Sequence, residues 1–296
     1  MEKPTILHFI TPAKNVSPFD VNMATDAGYN TIASYTNVLS NEVMGLVQDA
    51  IFSRGPRGVK RTGMLIGGRD IDVAMDMLDT AKKSMVPPFE ISVFADPSGA
   101  FTTAAGMMAA VERQLKNRFG GDLSGRKVSI FGATGPVGGC TAVIAAKFGA
   151  AVELVAHRSI PDVQAKADAY NKRYGTSISI VDGTTDELKK HILHSTDVAL
   201  CAAAAGVRVI TLAQMAGSPT LKVVADVNAV PPTGAEGVDV MADGGVIPGT
   251  NAVGVGALAI GNIKYQTQHN LFKKMLETDK PLYLDFLAAF ELARTL

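Results

Sequence analysis

The sequence predicts an α/β protein of two domains, and three observations carry that expectation. Lys127 to Phe131 is a short apolar run, followed by Gly132, Gly135 and Gly138. An Ala-rich helical pattern then fills Val137 to Phe148, and a second apolar run covers Ala151 to Ala156. A strand, a glycine turn, a helix and a strand in about 30 residues are the layout of a dinucleotide-binding βαβ unit. Strand and helix patterns also alternate on both sides of this stretch, as parallel sheets require.

The first domain is expected over residues 1–122. Thr5 to Ile10 reads as a strand, and Thr11 to Asn30 as irregular chain. Ser40 serves as an N-cap, and Val43, Val47, Ala50 and Ile51 share one helix face. Residues 54–58, Arg-Gly-Pro-Arg-Gly, read as a loop. Met64 to Ile66 is a strand closing on Gly67-Gly68. Asp70 to Ser84 is amphipathic, with Ile71, Ala74, Met75, Leu78 and Ala81 inward. Pro87-Pro88 ends it, and Phe89 to Ala95 is the next strand. Ligands in open α/β sheets collect at the carboxyl ends of strands. The loops there carry Asp20, Gly67-Gly68 and Asp96. Thr102 and Thr103 open a helix over Ala104 to Leu115, where hydroxyls cap the helix or face a ligand.

The second domain, residues 123–264, is expected to be a Rossmann-type doubly wound parallel sheet. After the βαβ unit, Asp162 to Tyr174 reads as a helix and Ile178 to Val181 as a strand. Thr184 to His191 is a short helix with Thr184 and Glu187 as a capping box. Val198 to Ala202 is a strand ending at Ala203-Ala204-Ala205-Gly206, and Thr211 to Met215 is a helical turn. Leu221 to Asp226 is a strand, followed by Asn228 and Pro231-Pro232. Gly244 to Gly256 breaks the pattern. Ala257 to Leu276 and Leu282 to Leu296 read as helices, and residues 265–296 return to the first domain.

Composition narrows the function. In 296 residues, 47% are hydrophobic and 19% charged, and Lys plus Arg balances Asp plus Glu at 28 each. No basic stripe supports nucleic-acid binding. Cys140 and Cys201 lie in apolar stretches and read as buried thiols. No apolar run approaches the ~20 residues of a membrane span, and the N-terminus shows no signal-peptide core. A cytoplasmic protein without a membrane partner is expected. His191 and His194 have no third ligand nearby, so no metal is expected. A homo-oligomer is expected, with the Met-rich helices at 70–84 and 104–115 available to pack between subunits.

A pyrophosphate needs donors without bulk, and a glycine turn leading into a helix N-terminus supplies them. Gly132, Thr134, Gly135, Pro136, Val137 and Gly138 are therefore the expected cofactor turn. Pro136 suits the first helical turn. Its G-x-x-G-x-x-G spacing departs from the usual fingerprint. An acid at the end of the second strand would favour NAD. His157-Arg158-Ser159 stands there instead. Arg158 and Ser159 can bind a phosphate, so NADP is favoured and NAD allowed.

Four segments together carry a resemblance. They are Asp96-Pro-Ser-Gly-Ala-Phe-Thr-Thr-Ala-Ala-Gly106, Gly135-Pro-Val-Gly138, Ala225-Asp-Val-Asn-Ala-Val-Pro-Pro232 and Gly254-Val-Gly-Ala-Leu-Ala-Ile-Gly261. With Ser17-Pro-Phe-Asp-Val21, the chain resembles the NAD(P)-dependent methylene-tetrahydromethanopterin dehydrogenases of methylotrophic bacteria. It is more similar to the form accepting both NAD and NADP, because His157-Arg158-Ser159 stands in place of Gly-Arg-Lys. The resemblance implies a two-domain fold with the pterin in a cleft between the domains, and a role in oxidising formaldehyde-derived one-carbon units. The helix from Val43 to Arg54 has no Tyr-x-x-x-Lys, which speaks against cyclohydrolase activity.

The implied reaction moves a hydride from methylene-tetrahydromethanopterin to NAD(P)+. The two nitrogens flanking the methylene carbon expel the hydride, so no general base is required, and positioning dominates. Lys264, Asp20 and Thr102 are the expected catalytic residues. Lys14, Asp96 and Thr103 are expected at the pterin. Ala203, Ala204 and Gly206 are expected beside the nicotinamide ribose, and Asp226 and Asn228 at the carboxamide. Two alternatives remain at this stage. One is a methylene-tetrahydrofolate or shikimate-type NADP dehydrogenase. The other is a non-catalytic NADPH-sensing protein.

Overall fold

The computed structural model describes residues 3–296. The chain runs through β1 (Ile6–Ile10), α1 (Pro18–Asp26), β2 (Thr31–Tyr35), α2 (Val43–Phe52), α3 (Gly55–Val59), β3 (Thr62–Ile66), α4 (Ile71–Lys83) and β4 (Ser92–Ala95). Then come α5 (Ala100–Phe119), β5 (Lys127–Phe131), α6 (Pro136–Lys147), β6 (Ala151–Ala156), α7 (Ile160–Tyr174), β7 (Ser179–Asp182), α8 (Asp186–Leu193) and β8 (Val198–Cys201). It closes with α9 (Leu212–Met215), β9 (Val223–Asp226), β10 (Asp243–Val246), β11 (Val253–Val255), α10 (Ala257–Glu277), β12 (Tyr283–Leu284) and α11 (Phe286–Ala293).

Two compact units result. One runs to Thr102 and resumes over Tyr265–Leu292, and the other holds Thr103–Lys264 with Ala293–Leu296. The sequence places the first boundary after residue 122; here it falls twenty residues earlier. The body of α5 packs on the first half of α10 inside the second unit. A Cβ on Gly106 would stand 3.0 Å from both Ile260 O and Lys264 N, so the two helices meet nearly backbone to backbone.

The first unit is a parallel sheet of order β12-β4-β3-β1-β2. Its inner strand β3 is buried at every residue. Both α1 and β2 lie in or beside the stretch read as irregular. Ser17 caps α1, its Oγ accepting from Asp20 N at 3.3 Å, and Pro18 occupies the first turn. The buried face of α1 contains Asp20, so an apolar period could not reveal it. Edge strand β2 is half exposed and largely polar. Ser40 is not the cap of α2. A single 3-10 turn over Ser40–Glu42 comes first, and Glu42 Oε2 accepts from Leu39 N at 2.7 Å. The Arg-Gly-Pro-Arg-Gly segment forms α3 rather than a loop. For α4 the expected face is buried, and Asp70 Oδ1 caps it from Asp72 N and Val73 N.

The second unit carries a sheet of order β10-β11-β9-β8-β5-β6-β7. All its pairs are parallel except β10–β11. Chain order reverses between β5 and β8, and that reversal is the ligand-binding switch point of doubly wound sheets. Three local readings change. Thr185, not Thr184, caps α8 by accepting from Leu188 N, while Thr184 Oγ1 donates to Asp182. The glycine-rich stretch contains the β10–β11 hairpin. The last segment starts as strand β12 before α11. Cys140 and Cys201 are both buried, and no disulfide joins them. Met75, Met77, Met107 and Met108 are also buried inside the chain, which removes them from any surface between subunits. Among the described residues no helix is long and apolar enough to cross a membrane, and no cluster of three or more His, Cys, Asp or Glu could hold a metal ion.

Candidate active site

The glycine turn sits at the switch point. Gly132 ends β5 with φ +86°, a left-handed conformation that glycine adopts without strain. A Cβ there would run into the backbone of Ala202 and Ala203, so the turn after β5 touches the end of β8. Gly138 packs the start of α6 onto the carbonyl of Gly132, leaving no room for a side chain. Gly135 is the N-cap of α6 and Pro136 occupies its first turn. Free backbone N–H groups and the positive end of the helix dipole are thereby directed outward at the carboxyl edge of the sheet.

A cavity of about 520 Å³ opens over this edge. Gly132, Thr134, Gly135, Pro136, His157, Arg158, Ala203 and Ala204, all named in the sequence analysis, line it. Lys189, Val207 and Arg208 line it as well. Lys189 and Arg208 come from α8 and the loop after β8, far from the glycine motif in sequence, and no local signal marks them. The lining contains three cations and no carboxylate. His157 is held below its ordinary pKa by burial and by the nearby Arg158 and Lys189 charges, so it is neutral at pH 7. Arg158 has no hydrogen-bond or ion-pair partner among the described residues. Ser159 caps α7, its Oγ accepting from Asp162 N at 3.3 Å, which leaves its O–H free to donate.

Val137 and Gly138 lie behind the cavity lining, in the first turn of α6. Gly206 turns the loop after β8 with φ +74° and is not part of the lining. Asp226 and Asn228 require a correction, because both side chains face their own loop. Asp226 is buried and accepts from Asn228 N at 3.0 Å and Ala235 N at 2.9 Å. Burial raises its pKa, while those donors and Gly234 N pull it down. Asn228 Oδ1 accepts from Val230 N and its Nδ2 donates to Pro232 O. These two residues hold the segment 226–235 in shape.

The first unit has its own polar cavity, of about 450 Å³, at the carboxyl ends of β1 and β3. Lys14, Asp20, Gly67 and Gly68 line it, together with Arg69 and Ser98. Asp20 is 3% exposed and accepts from Gln268 Nε2 at 2.7 Å. Arg69, Ser98 and Gln268 were not legible in sequence. Ser98 is a left-handed non-glycine residue, φ 53°, whose Oγ donates to Gly68 O at 2.8 Å. A residue in that conformation stores strain, which functional loops often hold.

Asp96 and Thr102 are engaged with each other at the start of α5. Both are fully buried, and neither lines that cavity. Thr102 Oγ1 donates to Asp96 Oδ2 at 2.6 Å, and Asp96 Oδ1 accepts from Phe101 N and Thr102 N. Asp96 therefore satisfies the first N–H groups of α5. Thr103 follows on α5, partly exposed. Lys264 is partly buried on α10, four residues or about one turn before Gln268.

A reversed-order parallel sheet, a glycine turn at its switch point and an acid-free cationic cavity define an NAD(P)-binding protein of the dehydrogenase type. Solved structures share the fold. Shikimate 5-dehydrogenase from Listeria monocytogenes matches with a TM-score of 0.50 at 14% identity, covering 94% of this chain and 93% of that one. The 5-ketofructose reductase of Gluconobacter sp. strain CHM43 matches with a TM-score of 0.53 at 15% identity, covering 99% of each. The family model for the N-terminal part of methylene-tetrahydromethanopterin dehydrogenase matches residues 18–98. The NAD(P)-dependent methylenetetrahydromethanopterin dehydrogenase of Methylorubrum extorquens is 49% identical over 289 residues, 98% of this chain and 97% of that protein. The chain belongs to the NAD(P)-dependent methylenetetrahydromethanopterin dehydrogenases.

Proposed function

We propose that this chain oxidises methylene-tetrahydromethanopterin to methenyl-tetrahydromethanopterin with NAD+ or NADP+, within one-carbon (formaldehyde) oxidation. The observation that carries this reading is the 49% identity with the Methylorubrum enzyme along 98% of the chain. The residues present fit the dinucleotide: Gly132 leaves no space for a side chain, and the cavity beside it is cationic without acids.

When bound, the nicotinamide supplies the hydride acceptor. The chain contributes positioning. The turn from Gly132 to Gly138 and the N-terminus of α6 bind the pyrophosphate through backbone N–H groups. Arg158 and Ser159 bind a 2′-phosphate, or leave the hydroxyl of NAD unopposed. Ala203 and Ala204 keep the cavity wall thin beside the ribose. In the first unit, Asp20 accepts from the pterin's amino and amide N–H groups, with Gln268 fixing its rotamer. Lys14, which lines the same cavity, is a further pterin contact. The substrate's own nitrogen lone pairs expel the hydride, so none of these residues removes a proton from carbon.

Assembly into a homo-oligomer in the cytoplasm belongs to the same reading. Met241 and Val246, each 68% exposed in and beside edge strand β10, support it. Light scattering in solution tests the assembly. The reaction is tested spectrophotometrically with methylene-tetrahydromethanopterin and methylene-tetrahydrofolate, each with NAD+ and NADP+. Reduction with the methanopterin substrate and either nucleotide is expected. Turnover of only the folate overturns the substrate assignment, and nucleotide binding without any turnover overturns the enzymatic one.

A further inference from the structure

We infer that Lys189 is a specificity-determining residue for the dinucleotide, a second cation for the 2′-phosphate of NADP opposite Arg158. The inference rests on the reading above that the second unit binds NAD(P).

The position follows from the sheet. Strands β6 and β7 are neighbours, and Ala156 pairs with Asp182 at their carboxyl ends. The chain leaves β6 through His157-Arg158-Ser159 and leaves β7 directly into α8. Helix α8 therefore rises beside the segment expected to meet the 2′-oxygen. Its Lys189 lines the same cavity as His157 and Arg158. Its charge is felt at the His157 ring, where it adds to the effect of Arg158.

The charge of Lys189 is poorly compensated within the protein. Its side chain is only 18% exposed, and its nearest carboxylate, Asp186, lies 3.9 Å away on an 81% exposed side chain. Such a pair is long and solvated, and contributes little. Arg208, the third cation of the lining, is engaged elsewhere. Its Nε donates to Thr233 O at 2.6 Å, and its Nη1 pairs with Glu236 at 3.3 Å. Arg158 and Lys189 are thus the two cations left to face an anion.

The backbone carrying Lys189 is held in place. Thr185 caps α8, Gln214 Nε2 donates to Asp186 Oδ1 at 2.9 Å, and Ile192 and Leu193 are buried in the core. Two preset cations suit a phosphate monoester, which carries about −1.5 to −2 charge at neutral pH. A ribose hydroxyl offers neither charge. Lys189 adds a second cation to the phosphate contact expected of Arg158 and Ser159.

The test uses the full chain without pterin. Dissociation constants for NADP+ and NAD+ are measured by fluorescence titration for the wild type, Lys189→Met, Lys189→Gln and Lys189→Arg. Loss of a charge-assisted contact should weaken NADP+ about tenfold or more in the Met and Gln variants. NAD+ should change less than twofold, which also reports an intact fold. Lys189→Arg should keep most of the NADP+ affinity. The slope of NADP+ affinity against salt should flatten when the cation is removed. Equal losses for both nucleotides, or none for NADP+, overturn the role of Lys189 while leaving the enzyme reading intact. Wild-type protein binding neither nucleotide overturns that reading itself.

Discussion

Gln268 Nε2 donates to Asp20 Oδ1 at 2.7 Å across 248 residues of chain, and both side chains are buried. The pair ties α10 to α1 within the first unit and presents a carboxylate to the cavity that Lys14 and Arg69 also line. Asp20→Asn removes the charge. It should lower kcat/KM for the pterin about tenfold to a hundredfold, the range of a charged hydrogen bond. Nucleotide affinity should stay constant, and steady-state kinetics with isothermal titration separates the two. Gln268→Leu should lower both kcat/KM and the unfolding midpoint, because it strips a buried carboxylate of a donor.

Thr102 supports the start of α5 and does not line the polar cavity of the first unit. Thr102→Val keeps the shape but removes the donor to Asp96 Oδ2. It should cost about 1–3 kcal/mol in urea unfolding. Thr102→Ser should recover most of that loss. A large rise in pterin KM without loss of stability would return Thr102 to the substrate site.

Gly132→Ala meets two obstacles together. The backbone is left-handed, and the new methyl group collides with the Ala202–Ala203 backbone. A destabilisation of about 1–3 kcal/mol is expected from strain of this kind. Affinity for NAD+ and NADP+ should fall in parallel, since the pyrophosphate turn serves both. Thermal unfolding and fluorescence titration measure the two effects.

Arg158→Ala should raise the KM for NADP+ about tenfold to a hundredfold and leave that for NAD+ within a few-fold. Equal effects would remove Arg158 from phosphate recognition. Initial-rate kinetics with each nucleotide decides it.

His8 carries a pH dependence. Its pKa is held below the ordinary 6.5, first by burial and second by the Arg54 charge, and its Nδ1 lies 3.2 Å from Tyr35 Oη. The unfolded chain then takes up the proton at a higher pH than the folded one. Stability is therefore full above pH 6.5 and falls as pH drops below it. His157 is lowered as well and acts in the same direction. The unfolding midpoint should decline from pH 7.5 to 5, about the span over which histidine charges. His8→Asn should flatten that decline, and an unchanged slope would remove His8 as a cause.

Patterning with a local cause was legible. The β5–α6–β6 unit appears almost residue for residue, because apolar runs, glycines and Pro136 act within a few positions of themselves. The buried face of α4 follows from its 3.6-residue period. Helix α1 was not legible, since its buried face carries a carboxylate, and Gln268, which donates to it, lies far along the chain.

The sequence by itself determined the α/β class and the glycine turn of the β5–α6–β6 unit. It did so because backbone conformation and hydrophobic periodicity are written into neighbouring residues. Only the tertiary structure decided the direction of each polar side chain. Asp226 turns into its own loop, Asp96 caps α5, and Lys189 reaches the cavity beside Arg158. A polar group is driven toward whichever partner or solvent lies nearest once the sheets are assembled, and that partner is set by distant segments.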